Sequence, residues 1–319
     1  MFLFPGQGNF MVEEFSVFLA SPRGFCAGVE RAIETVKLCL RRYGKPVYVL
    51  HEIVHNKHVI SELAASGAVF VENLGDVPQG GVCIFSAHGV SLAIEQKARE
   101  LGLRTVDATC PLVTSVHGMV EKYHAMGYDV LIIGHHKHPE VEGTAGRVAG
   151  RVHIIATELE AEAVVVADVK KVAYVTQTTL NSNDIIGIVR ILKRRFTKIK
   201  GPKSNICFAT QNRQDAVKQL ADQSDLLFVV GSKNSSNSNR LNEVATLCGV
   251  EAYLIDDYQD IDPTWLLGKK RIGITAGASA PERLVDGVIL WLQAYGTVKV
   301  IEMDGIKEKI HFKPALLSC

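Results

Sequence analysis

The sequence predicts an α/β protein of three similar domains with mostly parallel four-stranded sheets, and three observations predict it. Short β-rich runs alternate with helix-length stretches, glycine-containing turns join them, and the same order of elements follows each of Cys26, Cys110 and Cys207. Such alternation gives parallel sheets, because a parallel neighbour is reached only through a connection long enough for a helix.

Taken in order, residues 1–16 read as an N-terminal extension, with Met11 as a second candidate start, and the folded body is expected from Val17. In the first domain, 17–102, Val29, Ile33, Val36, Leu40 and Tyr43 recur at three- and four-residue spacing, the stripe of a helix with one buried face. Strands are expected there at 47–50, 68–71 and 82–85. The second domain, 103–203, repeats them at 130–133, 152–155 and 172–175, and the third, 204–286, at 226–230, 252–255 and 272–275. Counting the strand that leads into each cysteine, every domain has four. Residues 287–319 are expected to form a C-terminal helix and tail.

Composition narrows the function. The 319 residues are 47% hydrophobic, enough for a core in each domain, and 35 Lys plus Arg face 34 Asp plus Glu. A net charge of +1 sets up no field for nucleic acid or an anionic membrane, so neither is expected as a partner. Any anion must be held by local geometry. The longest apolar runs are strand-sized, too short to cross a bilayer. Seven cysteines, an odd number, with no secretory pattern point to a reducing compartment, expected to be the cytoplasm.

Ligands of parallel α/β sheets bind at the carboxyl ends of the strands, and the unusual residues fall there in every domain. After the second strands come His51-Glu-Ile-Val-His55-Asn56, Gly134-His-His-Lys-His138-Pro-Glu140 and Gly231-Ser-Lys-Asn-Ser235-Ser236-Asn237-Ser-Asn239. After the fourth come Ser86-Ala-His88-Gly89, Thr176-Gln-Thr178-Thr179 and Thr275-Ala-Gly-Ala-Ser279. Packed about a pseudo-threefold axis, these loops and three cysteines would share one cavity.

Cys39 lies on an apolar stripe, Cys83 in a strand and Cys248 late in a helical run, so these three read as core; Cys319 is a terminal bystander. Cys26, Cys110 and Cys207 recur once per domain in loops and are candidate ligands of zinc or of an iron–sulfur cluster. The paired Cys-x-x-Cys spacing of structural zinc is absent. A cubane held by three cysteines leaves one iron without a protein ligand. His51-Glu-Ile-Val-His55 matches the zinc-protease pattern, but that motif needs a helix, and here it follows a strand directly. The loop around Ser235, Ser236 and Asn237 precedes a helix and forms an anion pocket without Lys or Arg, to which Ser279 adds a neutral donor and His55, His88 and His138 add imidazolium charge. Glu140 reads as a proton donor or as a helix N-terminal charge, and Thr178 as a hydroxyl relay. The basic run 193–200 reads as a solvated helix end or a docking patch for an acidic electron carrier. No Gly-x-Gly-x-x-Gly or Walker loop supports an internal nicotinamide or ATP site, so electrons come from outside.

These motifs resemble the LytB family of 4-hydroxy-3-methylbut-2-enyl diphosphate reductases. The resemblance rests on Pro22-Arg-Gly-Phe-Cys26-Ala-Gly28-Val29, His51-Glu-Ile-Val-His55-Asn56, Phe85-Ser-Ala-His88-Gly89-Val90, Asp107-Ala-Thr-Cys110-Pro-Leu-Val113, His138-Pro-Glu140-Val-Glu-Gly-Thr144, Thr176-Gln-Thr178-Thr-Leu180 and the serine-rich loop to Arg240, and runs from Val17 to Lys313. It implies a trefoil of three domains around a 4Fe-4S cluster on Cys26, Cys110 and Cys207. It also implies a substrate diphosphate held by His55, His88, His138, Ser235, Ser236, Asn237 and Ser279, Glu140 as proton source and Thr178 at the substrate hydroxyl. The implied reaction is the last step of the non-mevalonate isoprenoid pathway: two electrons from a donor such as ferredoxin or flavodoxin, with two protons, remove the allylic hydroxyl as water and give isopentenyl and dimethylallyl diphosphates. Two other classes fit the residues alone, a three-cysteine iron–sulfur hydratase and a phosphate-binding protein with inert thiols.

Overall fold

The computed structural model describes residues 13–202 and 205–317; most of the expected extension, residues 1–12, and Cys319 lie outside them. In chain order the strands are β1 (Glu13–Leu19), β2 (Val47–Leu50), β3 (Ala68–Val71), β4 (Val82–Phe85), β5 (Arg104–Asp107), β6 (Asp129–Ile133), β7 (Val152–Ile155), β8 (Val172–Thr176), β9 (Leu226–Val230), β10 (Glu251–Ile255), β11 (Arg271–Ala276) and β12 (Gly296–Glu302). The helices are α1 (Ala27–Tyr43), α2 (Lys57–Ser66), α3 (Leu92–Glu100), α4 (Pro111–Ala125), α5 (Pro139–Ala145), α6 (Glu158–Ala163), α7 (Ser182–Arg195), α8 (Phe208–Ala221), α9 (Ser236–Leu247) and α10 (Glu282–Gln293). No helix among the described residues is long and apolar enough to cross a membrane.

The described residues form two compact units, one of 13–25 with Asn212–Glu308 and one of Cys26–Gln211 with 309–317. The first holds a five-stranded parallel sheet in the order β10-β9-β11-β1-β12. Its interior strand β9 is apolar on both faces: Leu226, Phe228 and Val230 join one core, Leu227 and Val229 another. A strand covered on both sides needs such a continuous run, and each fully buried side chain contributes about 1.5–3 kcal/mol of transfer free energy.

The second unit holds two parallel sheets, β3-β2-β4-β5 and β7-β6-β8. Helix α1 buries Val29, Ile33 and Val36 as its periodicity requires, and Leu131, Ile133 and Tyr174 pack against Ile185, Ile188 and Leu192 of α7.

Three parallel sheets are therefore present, but with five, four and three strands instead of four each. The strands leading into the cysteines account for the difference. β5, which enters Cys110, pairs with β4, and β1, which enters Cys26, pairs with β11 and β12. Among the described residues, the segment before Cys207 makes a single bridge, from Lys200 to Ala173. Four residue pairs, from Val82–Arg104 to Phe85–Asp107, hold β5 against β4, so the strand ahead of Cys110 extends the first sheet. β1 starts at Glu13, before the expected Val17, because Phe15 continues the inward alternation of Val17 and Leu19. The expected C-terminal tail contains β12, a strand at the edge of its sheet that carries Lys299 and leaves Val300 exposed, which is why it lacks an obvious strand signal.

Candidate functional site

In the unit that begins at Cys26, the three candidate thiols stand at helix N-termini. Cys26 is the N-cap of α1 and Cys110 that of α4, neither using its side chain to cap, while the Cys207 sulfur accepts the Thr210 N–H at 3.3 Å in the first turn of α8. Helix N-termini favour negative charge, so each position suits a thiolate ligand. Without one, burial pushes the Cys110 thiol up to about 12 and the Cys207 thiol up to about 11, and the negative charges of neighbouring thiols push the same way. Gly28 lets the Cys110 sulfur come close to the start of α1. A Cβ there would lie 2.7 Å from the Cys110 sulfur and 3.9 Å from that of Cys26. Arg31 of α1 ties these two positions together by donating to the carbonyl oxygens of Thr109 and Asp107, just ahead of Cys110.

Cys39 and Cys83 are fully buried, as expected of core thiols, and burial holds each at about 11. Cys248 departs from expectation: it is exposed, because it ends α9 where the chain turns off through left-handed Gly249.

Three histidines meet in this unit. The His55 and His88 rings stack with centroids 4.3 Å apart, and His138 stands edge-on to both, 5.8 Å from His55 and 5.9 Å from His88. His55 Nδ1 lies 2.8 Å from Glu52 and His88 Nδ1 lies 3.2 Å from the Ser86 hydroxyl. His138 Nδ1 accepts the Glu140 N–H at 3.1 Å, which leaves its ring proton on Nε2 as an outward donor. The surroundings of these rings do not support the expected imidazolium charge. Burial, then repulsion within the trio, holds His88 well below its ordinary value and His138 down to about 4. The zinc-protease pattern also fails: His51 has a positive φ of 58° and the chain after β2 is not helical until Lys57. Among the described residues, no three His, Cys, Asp or Glu side chains are grouped to hold a single metal ion.

Glu140 is 3% exposed, so it is no ordinary surface charge at a helix N-terminus. Its carboxyl accepts the Thr178 N–H at 2.7 Å and the Thr178 hydroxyl at 2.8 Å. Burial raises its pKa to about 7 against the opposing pull of those two bonds, so acid and base forms coexist near neutrality. The Thr178 carbonyl in turn accepts the Cys207 N–H at 3.0 Å. A proton-holding carboxyl, a hydroxyl and a candidate ligand are thereby joined through Thr178.

The remaining predicted residues lie in the other unit. Ser235 caps α9 by accepting the Ser238 N–H, Ser236 opens that helix half-buried, and Ser279 is buried after β11. Asn237 is 5% exposed, and neither its amide nitrogen nor its oxygen has a partner; the buried hydroxyls of Ser232, Ser238 and Thr275 also lack one. An unmet buried polar group costs about 1–3 kcal/mol, so this cluster is arranged for a polar guest. Sequence reasoning missed Gly28, Arg31 and Thr210, whose signals are single residues with surface-like or bland identities. The basic run is tied to its own unit: Arg194 pairs with Glu162, Arg195 donates to the Ala161 and Val164 carbonyls, and Lys200 lies over the Tyr128 ring.

The LytB protein family matches residues 17–293. The chain is 64% identical over 305 residues to a 4-hydroxy-3-methylbut-2-enyl diphosphate reductase of Desulfotalea psychrophila, covering 96% of this chain and 97% of that one. It is 57% identical over 297 residues to the reductase of the same name from Azoarcus sp., covering 93% and 95%. Among solved structures it resembles the E-1-hydroxy-2-methyl-but-2-enyl-4-diphosphate reductase of Plasmodium falciparum, with a TM-score of 0.86 at 37% identity over 93% of this chain and 96% of that one. A second structure, described as the terminal enzyme of the non-mevalonate pathway, matches with a TM-score of 0.65 at 33% identity over 89% and 100%.

Proposed function

The chain belongs to the LytB family of 4-hydroxy-3-methylbut-2-enyl diphosphate reductases and acts at the terminal step of the non-mevalonate pathway, and from that premise we propose how its residues divide the work. The family is iron–sulfur dependent. We assign a 4Fe-4S cluster to Cys26, Cys110 and Cys207, which the approach of the Cys26 and Cys110 sulfurs to Gly28 and the helix N-termini support. When bound, the cluster supplies electrons and an iron without a protein ligand, open to the substrate oxygen.

The protein's own residues bind, orient and protonate. His55, His88 and His138 are assigned to the substrate diphosphate, with the Nε2 proton of His138 as one donor; Ser235, Ser236, Asn237 and Ser279 are assigned to it as well. Fixing this remote group places the hydroxyl end of the substrate for reaction. Glu140 holds a proton near neutral pH; once protonated it can donate to the Thr178 oxygen 2.8 Å away, and the Thr178 hydroxyl hydrogen is then free to turn to the substrate hydroxyl oxygen. Protonation through this pair lets the hydroxyl leave as water, and two electrons with a second proton on the allyl fragment complete the conversion to isopentenyl and dimethylallyl diphosphates. The electrons are assigned to an external donor such as ferredoxin or flavodoxin, and the location to the bacterial cytoplasm. Residues 17–102, 103–203 and 204–286 are proposed as the repeating domains, with 287–319 completing the chain.

The observation that carries the reading is the Glu140–Thr178 pair set against the backbone of Cys207. Anaerobic protein given the hydroxylated diphosphate and reduced viologen dye is expected to oxidise two dye equivalents per substrate. Conversion without dye oxidation would favour a hydratase, and iron-free protein that only binds the diphosphate would favour an inert binding module.

The neutral histidines carry a pH prediction. A bound anion raises imidazole pKa values that burial has depressed, so binding takes up protons near pH 7 and strengthens as pH falls. Calorimetry with inorganic diphosphate in two buffers of different ionisation enthalpy reads the proton count. Zero uptake or release contradicts the assignment.

A further inference from the structure

The elements that follow His88, Cys110 and Glu140 meet at one polar junction within their unit. At its centre is Arg147, directly after α5 and its C-cap Gly146, with a side chain only 16% exposed. Its Nη1 donates to Glu95 of α3 at 2.5 Å and to the Val90 carbonyl at 3.4 Å, and its Nε donates to Glu121 of α4 at 2.8 Å. One guanidinium thus reaches the loop that begins beside His88 and the helix that begins after Cys110. Lysine, with a single nitrogen, cannot span this set.

Close backbone contact fixes the same junction. The Leu92 N–H donates to the Gly146 carbonyl at 3.0 Å, a Cβ at Gly143 would lie 2.9 Å from the Gly89 carbonyl oxygen, and a Cβ at Gly146 would overlap that of Ser91. Gly89 itself leaves room for His117 of α4: a Cβ there would stand 2.6 Å from the His117 Cε1. Glu140 and Gly146 sit at opposite ends of α5, about 9 Å apart along its axis at 1.5 Å per residue. So short a helix moves as one piece, and a displacement at Gly146 is felt at Glu140 and at its N-cap His138.

We propose that Arg147 is a positioning residue for the reaction, which with Gly143 and Gly146 sets His88, Cys110 and Glu140 in register. The inference rests on the site assigned above. Its test uses anaerobic holoenzyme of Arg147→Lys, Gly146→Ala, Ser91→Gly and the Gly146→Ala/Ser91→Gly double variant. Arg147→Lys and Gly146→Ala are expected to keep wild-type iron and sulfide, to lose about 100-fold in kcat/KM through misplacement, and to bind inorganic diphosphate more weakly. Ser91→Gly removes the Cβ that Gly146→Ala meets, and glycine is a tolerated N-cap, so the single change is mild and the double variant recovers most of the loss.

Wild-type kinetics in Arg147→Lys would overturn the proposal, as would a double variant no better than Gly146→Ala. Should Arg147→Lys lose iron or fail to fold, the glycine pair decides in the same way. A wild-type enzyme that neither holds iron nor oxidises dye rejects the site assignment itself, a result distinct from either.

Discussion

Glu140→Gln is expected to retain the cluster and the affinity for inorganic diphosphate while turnover falls by about 10²–10⁴-fold, the usual contribution of a positioned acid. The amide matches the carboxyl in shape and still accepts from Thr178 through its oxygen, but it has no acidic proton to give. The pH profile carries the sign. Glu140 titrates at about 7, raised by burial, and the protonated form is the donor, so wild-type kcat/KM falls as pH rises through 7. In Glu140→Gln the residual rate loses that limb. The same raised pKa means the carboxyl favours the folded state most when protonated, and its contribution declines as pH climbs from the ordinary carboxylate range to about 7. Stopped-flow dye oxidation across pH 6–9 reads the limb, and iron and sulfide content shows that the cluster is intact. Full activity in Glu140→Gln removes its catalytic role.

Gly28→Ala is expected to cost the protein its iron. The new Cβ would stand 2.7 Å from the Cys110 sulfur, closer than real Cβ contacts allow, and the thiol must rotate away. A residue that orients a ligand typically changes metal affinity by about 10–100-fold. Gly118→Ala in α4 is the control: nothing lies within 4 Å of its Cβ, and alanine suits a helix interior better by about 0.5–1 kcal/mol. Iron per chain after anaerobic purification separates the two. Equal iron in both variants contradicts the placement of the cluster beside Gly28.

Much of the fold was legible because it depends on local periodicity. The stripe on α1, the doubly apolar run of β9 and the polar loops at strand ends each follow from residue spacing. Pairing partners were not legible, since the sheet that β1 or β5 joins depends on residues far away in the chain. At the site, the three thiols and the histidines stood out by recurrence, whereas their protonation did not. His88 and His138 are neutral because tertiary packing removes water from them, a fact without a sequence signature. Arg147 and Gly28 escaped for the opposite reason: an arginine after a helix and a glycine in one look ordinary until their neighbours are known.

The central claim is that Cys26, Cys110 and Cys207 hold a four-iron cluster. Iron and acid-labile sulfide per chain, measured on anaerobically purified wild-type protein and on each cysteine-to-serine variant, test it most directly. The expected result is about four of each in the wild type and in Cys39→Ser, with marked loss in Cys26→Ser, Cys110→Ser and Cys207→Ser. Zinc in place of iron in the wild type, or a full complement in Cys207→Ser, would contradict it.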